Sequence, residues 1–277
     1  HRGLEAEIGC DPELPLSRRS RIADGIGEML RPLAERGLDD GAAVLQLISD
    51  SLLGHLGEDR MVHRMRANGD ERIGRKIRDL RPRHAEIVAE VTESGLRGRG
   101  GAGFPAGIKW KTVLDAKSDQ KYICCNADEG DSGTFADRIL MEGDPFTLIE
   151  GMAIAALAVG ATKGFIYIRS EYPAAITKME KAIEVASEKL GSFELKVRVG
   201  AGSYVCGEET AMLESLEGKR GVVRAKPPLP ALEGLFGKPT IINNVLTLAS
   251  VPEIIASGAA SYKARGVGKS LGTQIFQ

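Results

Sequence analysis

The first 86 residues place apolar side chains at helical spacing within stretches rich in charged residues. One apolar stripe runs from Ile22 to Leu33, and a second runs from Val44 to Leu53. Residues three and four positions apart share one face of a helix, and Gly37 and Gly54 stand where these helices are expected to end. The pattern predicts an α-helical N-terminal region over 1–86, for which we suggest only a hypothetical role in docking a partner subunit.

From residue 87 onward, short apolar runs alternate with longer amphipathic segments. The predicted elements are helices at 87–94, 145–159, 172–189 and 208–217, and strands at 121–126, 164–169 and 193–199. Strands separated by helices of this length are joined by parallel crossovers. The sequence therefore predicts an α/β domain over 87–260 with a Rossmann-like, doubly wound parallel sheet. The segment from Thr273 to Gln277 is predicted to begin a further strand.

Composition narrows the class of protein. The formal net charge is −1, which predicts no attraction to nucleic acid or to an anionic membrane. The longest apolar stretch, 151–160, is about half the length of a membrane-spanning helix, so we expect no membrane insertion. The N-terminal residues also lack the pattern of a secretory signal.

The four cysteines are unevenly spread and include no Cys-x-x-Cys pair. This distribution predicts a cytoplasmic location and no disulfide framework. Cys124 and Cys125 are adjacent in a predicted strand, where successive side chains point to opposite faces. We interpret them as packing residues, and we expect no metal site in this chain and no iron–sulfur cluster, which needs a full set of thiolate ligands.

Glycines crowd the segment from Gly98 to Gly107. Glycine permits positive φ angles and lets backbone N–H groups approach an anion closely. Lys109 follows within reach of a phosphate, and the flat ring of Phe104 can stack on a nucleotide base. The segment differs from the Rossmann fingerprint because a predicted helix, not a strand, precedes it. A set of tight turns without a ligand is the alternative interpretation.

Polar residues from Asn126 to Thr134 follow the strand predicted at 121–126. Ligands of open α/β sheets bind at the carboxyl ends of the strands. Asn and carboxylate side chains there can bind ribityl hydroxyls, ring N–H groups or a carboxamide. The alternative is an acidic turn, with or without a metal.

A second glycine-rich segment, from Gly200 to Gly207, stands at the N-terminus of a predicted helix, where the helix dipole and free amides attract anions. The next residues, Glu208 and Glu209, are equally typical of helix capping. The basic stretch that ends at Lys226 either lines a nucleotide phosphate or forms a solvated surface.

Two adjacent amides, Asn243 and Asn244, precede another predicted helix. Asn is a favoured residue at a helix N-cap, where its side-chain oxygen accepts a backbone hydrogen bond. The amide nitrogen then still offers donors to a phosphate. This pair is therefore a fourth candidate site.

The absence of some side chains is also informative. All four histidines lie within the first 86 residues, and the rest of the sequence has no serine nucleophile elbow and no zinc-ligand spacing. This counts against hydrolases. Hydride transfer between a nicotinamide and a flavin needs no protein acid or base, because the cofactors carry the chemistry. The pattern thus favours a redox protein without a catalytic side chain.

Four motifs occur in a fixed order, and together they carry a family resemblance. They are Gly-Arg-Gly-Gly-Ala-Gly-Phe-Pro from Gly98, Asn-Ala-Asp-Glu-Gly from Asn126, Tyr-Val-Cys-Gly-Glu-Glu from Tyr204 and Lys-Pro-Pro from Lys226. Over 91–251 the chain resembles the NADH- and FMN-binding (51 kDa-type) subunit of respiratory complex I and its relatives in NAD-linked hydrogenases and NAD-dependent formate dehydrogenases. The variant from Gly130 to Arg138, together with Leu229, is most similar to formate dehydrogenase beta subunits.

The resemblance implies that FMN and NAD bind side by side and that hydride passes directly between them. The residues it implies for FMN are Gly98, Arg99, Gly100, Lys109, Asn126, Asp128, Glu129, Tyr204, Gly207 and Glu208, with Asn243, Asn244 and Thr247 at the flavin phosphate. Those it implies for NAD are Gly101, Phe104, Glu209 and Lys226. Within these sets, Asn126, Asp128 and Glu129 would touch both flavin and nicotinamide, and Glu129 would position the cofactors.

Two further implications concern the dinucleotide. Glu209 would lie near the adenosine ribose, where a carboxylate repels a 2′-phosphate and favours NAD over NADP. Leu229 stands where relatives often have a second aromatic residue, so we expect adenine stacking weaker by about 1 kcal/mol.

The resemblance also predicts the rest of the complex. Residues 261–277 would begin a β-grasp-like (SLBB-type) domain, and a [4Fe–4S] cluster is expected only in a C-terminal part missing from this chain. The implied partners are a thioredoxin-like [2Fe–2S] subunit and a larger catalytic subunit with the formate or hydrogen site. The predicted function is a diaphorase module of an NAD-dependent formate dehydrogenase. Alternatives are the equivalent complex I or hydrogenase subunit, a non-catalytic nucleotide-binding scaffold, and the ferredoxin–NAD reductase core subunit.

Overall fold

The computed structural model describes residues 83–275 of the chain. The helical region predicted over 1–86 therefore lies almost entirely outside the described residues, and its prediction stays untested. The domain boundaries predicted at 86 and 260 stay predictions as well.

Helices and strands alternate along the described chain. The helices are α1 (His84–Glu93), α2 (Ala106–Asp115), α3 (Ala136–Gly143), α4 (Pro145–Val159), α5 (Pro173–Leu190), α6 (Glu209–Leu216), α7 (Val245–Ala249), α8 (Val251–Ser257) and α9 (Ala259–Ala264). The strands are β1 (Tyr122–Ala127), β2 (Lys163–Arg169), β3 (Glu194–Gly200) and β4 (Thr240–Asn244), and short 3₁₀ helices cover Tyr204–Gly207 and Leu235–Gly237.

The four strands form a parallel sheet in the order β3-β2-β1-β4. In this register Cys125 of β1 lies beside Ile166 of β2 on one side and beside Asn243 of β4 on the other. The chain leaves β1 toward β2, whereas β4 pairs with the opposite edge of β1. The carboxyl ends of β1 and β4 therefore flank a topological switch point, the usual ligand crevice of open α/β sheets.

The period of two along β1 divides its side chains between two faces of the sheet. Cys124 packs in a cluster with Tyr122 and with Met212 and Leu213 of α6. The helix α4, buried along almost its whole length, contacts β1 and β2. Cys124 and Cys125 are both fully buried and free of disulfides, which confirms that they are packing residues, and burial raises the pKa of both thiols. The predicted Rossmann-like, doubly wound α/β sheet is confirmed.

Local sequence explains the ends of the longest buried helix, α4. Asp144 accepts a hydrogen bond from the Thr147 N–H at 3.2 Å, and Pro145 occupies the first turn, where its missing N–H costs nothing. Gly160 ends the helix in the left-handed conformation at φ 75°. These signals explain why the helix predicted at 145–159 matches the structure at both ends.

Some elements differ from prediction. The predictions contained neither α2 nor α3 nor the strand β4, and β4 is too short and too rich in Asn to show a strand pattern. The strand predicted from Thr273 is wrong for the residues up to Ile275, which are not in a strand, and the last two residues lie outside the described range. The other predicted elements are present within a few residues of the predicted bounds.

Candidate functional site

The glycine-rich segment is a closed loop between α1 and α2. The Gly98 N–H donates to the Phe104 carbonyl at 2.9 Å, and Arg97 and Pro105 form an antiparallel bridge. Gly101 and Gly103 have φ angles of 107° and 62°, a region that side chains with a Cβ rarely adopt. As predicted, a helix and not a strand precedes this loop.

The loop lies against the carboxyl end of β4. The Arg99 N–H donates to Oγ1 of buried Thr247 at 2.8 Å. A Cβ at Gly100 would come within 3.2 Å of the Asn244 Cβ, so a side chain there would press against Asn244. The structure thus joins the first and fourth of the candidate segments at the switch point.

The Arg99 side chain points to a different part of the chain. Its Nη2 donates to the Tyr262 hydroxyl at 3.0 Å and to the carbonyls of Leu271 and Thr273 at 2.7 and 3.3 Å. Its backbone faces β4 while its guanidinium holds the segment after α9. The predicted contact of Arg99 with FMN stays a prediction, and only its backbone lies at the loop.

The segment after β1 meets the second glycine-rich segment. Asn126 Nδ2 donates to the Gly207 carbonyl at 2.8 Å, and Asn126 Oδ1 accepts from the Asp128 N–H at 3.2 Å. Tyr204, 71% exposed, donates its hydroxyl to Asp131 at 2.7 Å. A Cβ at Gly130 would lie 2.9 Å from the Tyr204 ring, so a side chain there would require this exposed ring to move.

Asp128 directly follows β1, at the carboxyl end of the strand. Its Oδ2 is buried and accepts no hydrogen bond from the described residues. Burial raises the pKa of Asp128, Arg169 opposes that rise, and Glu171 reinforces it. A buried carboxylate oxygen without a partner is costly unless a ligand supplies the donor. The ring N–H and ribityl hydroxyls of a flavin are such donors, so this residue fits the predicted cofactor.

Glu129 is engaged with the protein rather than open to a ligand. Its carboxylate accepts from the Asp137 and Arg138 N–H groups at 3.1 and 3.3 Å, at the N-terminus of α3. The Tyr172 hydroxyl donates to the same carboxylate at 3.1 Å, and the Arg169 guanidinium holds the Glu129 carbonyl. The carboxylate therefore anchors α3 beside the crevice, and its predicted role in positioning the cofactors stays a prediction.

Asp137 is a site residue that the sequence reasoning missed. It is 5% exposed, and its Oδ2 accepts from Asn244 Nδ2 at 2.7 Å. Burial first, and then the nearby charge of Glu129, raise its pKa to about 8, against the lowering effect of the Asn244 hydrogen bond. Its carboxyl group therefore carries a proton at neutral pH. A polar residue in the first turn of a helix gives no sequence signal of burial.

The two glutamates at the start of α6 have different roles. Glu208 is the N-cap: its carboxylate accepts from the N–H groups of Thr210 and Ala211 at 2.8 and 3.0 Å. Burial alone would raise its pKa, but hydrogen bonds from Thr210, from Lys226 and from these amides outweigh burial and lower it to about 2. The capping interpretation is thus confirmed for Glu208.

Glu209 is held by two lysines. Its carboxylate lies 3.3 Å from Lys109 Nζ and 2.8 Å from Lys226 Nζ, and Lys226 also reaches Glu208 at 2.9 Å. Burial opposes the effect, but the two ammonium groups lower the pKa of Glu209. Lys109 also donates to the Ile242 carbonyl at 3.2 Å, which brings this cluster to β4. Residues that are far apart in the sequence therefore share one charged cluster.

Two large apolar side chains, Phe104 and Leu229, are exposed. Phe104 is 45% exposed, and Lys109 Nζ lies 5.9 Å from the centre of its ring. Leu229 is 52% exposed. The exposed ring is available for stacking, as predicted for an adenine-binding residue.

Asn243 and Asn244, at the end of β4, each accept a hydrogen bond through the side-chain oxygen. Asn243 Oδ1 accepts from Trp110 Nε1 at 2.9 Å, and Asn244 Oδ1 accepts from the Leu246 N–H at 2.9 Å as the N-cap of α7. The capping predicted for this pair is confirmed for Asn244. Asn243 is instead 5% exposed and bound to α2.

Two classes of site are absent from the described residues. Between residues 83 and 275, no group of three or more His, Cys, Asp or Glu side chains is arranged to hold a metal ion. No helix in the same range is both long and apolar enough to cross a membrane.

Comparison with known proteins identifies the family. A family model described as the Nuo51 FMN-binding domain matches residues 91–253. The chain belongs to this family. The match includes all four motifs, and the predicted resemblance to the 51 kDa-type subunits is confirmed.

Several relatives of the Nuo51 family are similar along the same region. An NADH-quinone oxidoreductase subunit of Rhizobium meliloti (strain 1021) is 55% identical over 201 residues, 69% of this chain and 48% of that protein. The NADP-reducing hydrogenase subunit HndC of Solidesulfovibrio fructosivorans is 52% identical over 69% of this chain and 41% of that protein. The chain spans about half, or less, of the curated relatives it matches.

Solved structures agree with the fold. The crystal structure of an NAD⁺-reducing [NiFe]-hydrogenase in the H₂-reduced state matches with a TM-score of 0.68 and 40% identity, over 74% of this chain and 37% of that one. The air-oxidized state of such a hydrogenase matches with the same TM-score, 37% identity, and coverage of 84% and 43%. These likenesses confirm the α/β architecture around the switch point.

Proposed function

We propose that this chain is a diaphorase-type module that binds FMN and NAD(H) and allows hydride transfer between them. The observation that carries the proposal is the convergence of the motifs at the β1–β4 switch point. Arg99 bonds to Thr247, Asn126 bonds to Gly207, and Lys109 bonds to Glu209. Membership of the Nuo51 FMN-binding family supports the flavin, and the names of the relatives support a nicotinamide partner.

The residues of the crevice suit these ligands chemically. Within the described chain, the exposed N–H groups of Gly100 and Gly101 donate to no protein acceptor and are free for an anion. Asp128 Oδ2 is the open acceptor for a ring N–H or hydroxyl. FMN, when bound, accepts hydride at its ring, so the protein needs only to bind and orient both nucleotides and to exclude water.

On the dinucleotide side, Phe104 would stack on the adenine, and the Lys226 ammonium group would meet phosphate, whereas Lys109 would hold the FMN side of the loop. Glu209 would face the ribose, where its charge disfavours a 2′-phosphate. The relatives include both NADH- and NADP-named proteins, so family membership alone leaves this preference open. In our proposal, Glu209 determines the preference for NAD over NADP.

The larger complex is part of the same proposal. The variant from Gly130 to Arg138 and the presence of Leu229 support a formate dehydrogenase, and the equivalent subunits of complex I or an NAD-reducing hydrogenase are the alternatives. We propose as partners a thioredoxin-like [2Fe–2S] subunit and a larger catalytic subunit, with a [4Fe–4S] cluster outside this chain taking the electrons onward. A cytoplasmic location stays a prediction. Identification of the subunits that co-purify with the chain tests these assignments.

The reaction itself is tested with the purified chain and FMN under anaerobic conditions. We expect a bound yellow flavin whose absorbance is bleached by NADH, and NADH-dependent reduction of a dye. A chain that binds no FMN would contradict the proposal. A chain that binds FMN and NADH without bleaching would instead support a non-catalytic nucleotide-binding scaffold.

A further inference from the structure

Trp110 is buried in α2 and bound to the end of β4. It is the single tryptophan of the chain, and its side chain is fully buried. Its indole Nε1–H donates to Asn243 Oδ1 at 2.9 Å. The neighbouring Lys109 donates to the Ile242 carbonyl at 3.2 Å. Two consecutive residues of α2 therefore hold two consecutive residues of β4.

The bond fixes which end of the Asn243 amide is available to a ligand. An indole N–H is only a donor, so its partner must be the amide oxygen and not the amide nitrogen. Asn243 Nδ2 then carries two N–H groups, and none of the described residues accepts a hydrogen bond from it. The amide therefore offers donors, and an anion is the ligand that donors attract.

The surroundings add further donors. The Asn244 amide is oriented in the same way, because its Oδ1 accepts from the Leu246 N–H at the start of α7. Its Nδ2 donates one N–H to Asp137 and has a second N–H to offer a ligand. Gly100, whose N–H is free within the described chain, lies against Asn244. A donor of the loop therefore lies against Asn244, the residue that follows Asn243 in the chain.

We propose that Trp110 is a positioning residue for the flavin phosphate, acting by holding the Asn243 amide with its N–H groups available to that phosphate. The inference rests on the proposed binding of FMN. Trp110 itself touches no ligand in this proposal. Without the indole N–H, the amide is free to turn over, and the oxygen that it then presents repels an anion.

Riboflavin separates this role from a merely structural one, because it shares the ring and ribityl chain of FMN and lacks the phosphate. Trp110→Phe keeps an aromatic ring in the core and removes the donor. We expect the Kd for FMN to rise about tenfold, as for loss of an oriented hydrogen bond to a charged group. The Kd for riboflavin should change little. Quenching of flavin fluorescence measures both.

Val113→Ala is the matched control. Val113 is fully buried in the same helix and donates no side-chain hydrogen bond. Its truncation loosens the packing of α2, so any effect on the two flavins should be equal. If Trp110→Phe raises the Kd for FMN and the Kd for riboflavin by the same factor, as expected for this control, the inference is overturned.

A second variant tests whether Trp110 acts through Asn243. Asn243→Ala removes the amide, so Trp110→Phe added to it should not change the ratio of the FMN and riboflavin Kd values further. An additional change in that ratio would show that Trp110 acts by another route and would contradict the proposal.

The unmodified chain provides a measurement that does not depend on a variant folding. Because the chain has one tryptophan, ¹⁵N-indole labelling gives one indole N–H resonance. We expect FMN to shift this resonance clearly more than riboflavin does, and equal shifts would overturn the inference. If the unmodified chain binds neither flavin, the proposed function fails and takes this inference with it. If it binds FMN and Trp110→Phe keeps the full preference for FMN over riboflavin, the inference alone fails.

Discussion

The Arg99 N–H donates to the Thr247 Oγ1 at 2.8 Å, joining two segments separated by 148 positions in the sequence. Thr247 is fully buried in α7, the helix that begins at the end of β4. The bond therefore fixes the glycine-rich loop to the strand that carries the adjacent amides. The loop also depends on the Arg99 guanidinium, which holds Tyr262 and two carbonyls of the following segment.

Thr247→Val should weaken FMN binding. Valine has nearly the same shape and lacks the hydroxyl, so the Arg99 N–H loses its acceptor. We expect about a tenfold rise in the Kd for FMN, corresponding to a lost hydrogen bond of roughly 1–2 kcal/mol. Flavin fluorescence titration measures it. Thr177→Val on the exposed face of α5 is the control, and an equal effect of the two variants would contradict the role assigned to Thr247.

Glu209→Gln should shift the nucleotide preference toward NADPH. The variant keeps the shape of the side chain and removes its charge, which is held between Lys109 and Lys226. Lys109 then loses its carboxylate partner and Lys226 keeps only Glu208, so the positive charge that a 2′-phosphate meets is larger. We expect the ratio of kcat/KM for NADPH over NADH to rise about fivefold, since one such charge counts on the order of 1 kcal/mol near a surface.

The control for this prediction is Glu180→Gln on the exposed face of α5, which removes the same charge away from the crevice. It should leave the ratio of NADPH to NADH use as it is. If Glu209→Gln also leaves the ratio unchanged, Glu209 does not determine the preference, and the role taken from the family resemblance is wrong.

Leu229→Phe should tighten dinucleotide binding. Leu229 is 52% exposed, and the family resemblance implies that it lies where a second aromatic residue would stack on the adenine. A second ring beside the adenine adds about 1 kcal/mol, so the Kd for NADH should fall about fivefold. Leu232→Phe, at a side chain that is 50% exposed three positions later, is the matched control. Equal tightening in both variants would indicate a general gain of apolar surface and no specific stacking.

Residue types and spacing predicted three of the four strands in the described sheet and the candidate segments at its carboxyl edge. Glycine-rich segments and the α4 caps act locally, so the sequence shows them directly. The strand β4 has five residues and ends in two asparagines, and only its pairing with β1 makes it a strand. A pattern within β4 could not have revealed that pairing.

Contacts between distant residues explain what the sequence could not show. Glu209 and Lys109 are 100 positions apart, and the sequence suggested neither their ion pair nor its sharing with Lys226. Asp137 is buried where Glu129 and Asn244, from other segments, both bond to it. The hydrogen bonds between Glu129 and the start of α3 are likewise contacts between separate segments, and its predicted contact with the cofactors stays a prediction.

The raised pKa of Asp137 makes the free energy of unfolding depend on pH. Its pKa is raised from 3.8 to about 8, so the folded chain holds a proton that the unfolded chain releases above pH 4. Between about pH 4 and about pH 8 the folded state therefore binds more protons than the unfolded state. The contribution of Asp137 to the free energy of unfolding falls as pH rises through this window, by at most about 1.4 kcal/mol per pH unit.

Asp137→Asn should remove this pH-dependent loss of stability, because asparagine cannot ionise and still offers Asn244 an acceptor oxygen. Urea unfolding of the chain without cofactor, at several values between pH 5 and pH 8.5, measures it. We expect the variant to gain stability relative to the unmodified chain as pH rises. Asp115→Asn, at an exposed residue paired with Lys111, controls for the loss of a carboxylate elsewhere. Parallel pH profiles for the Asp137→Asn variant and the unmodified chain would show that the Asp137 carboxyl ionises normally, and its protonated state at neutral pH would be wrong.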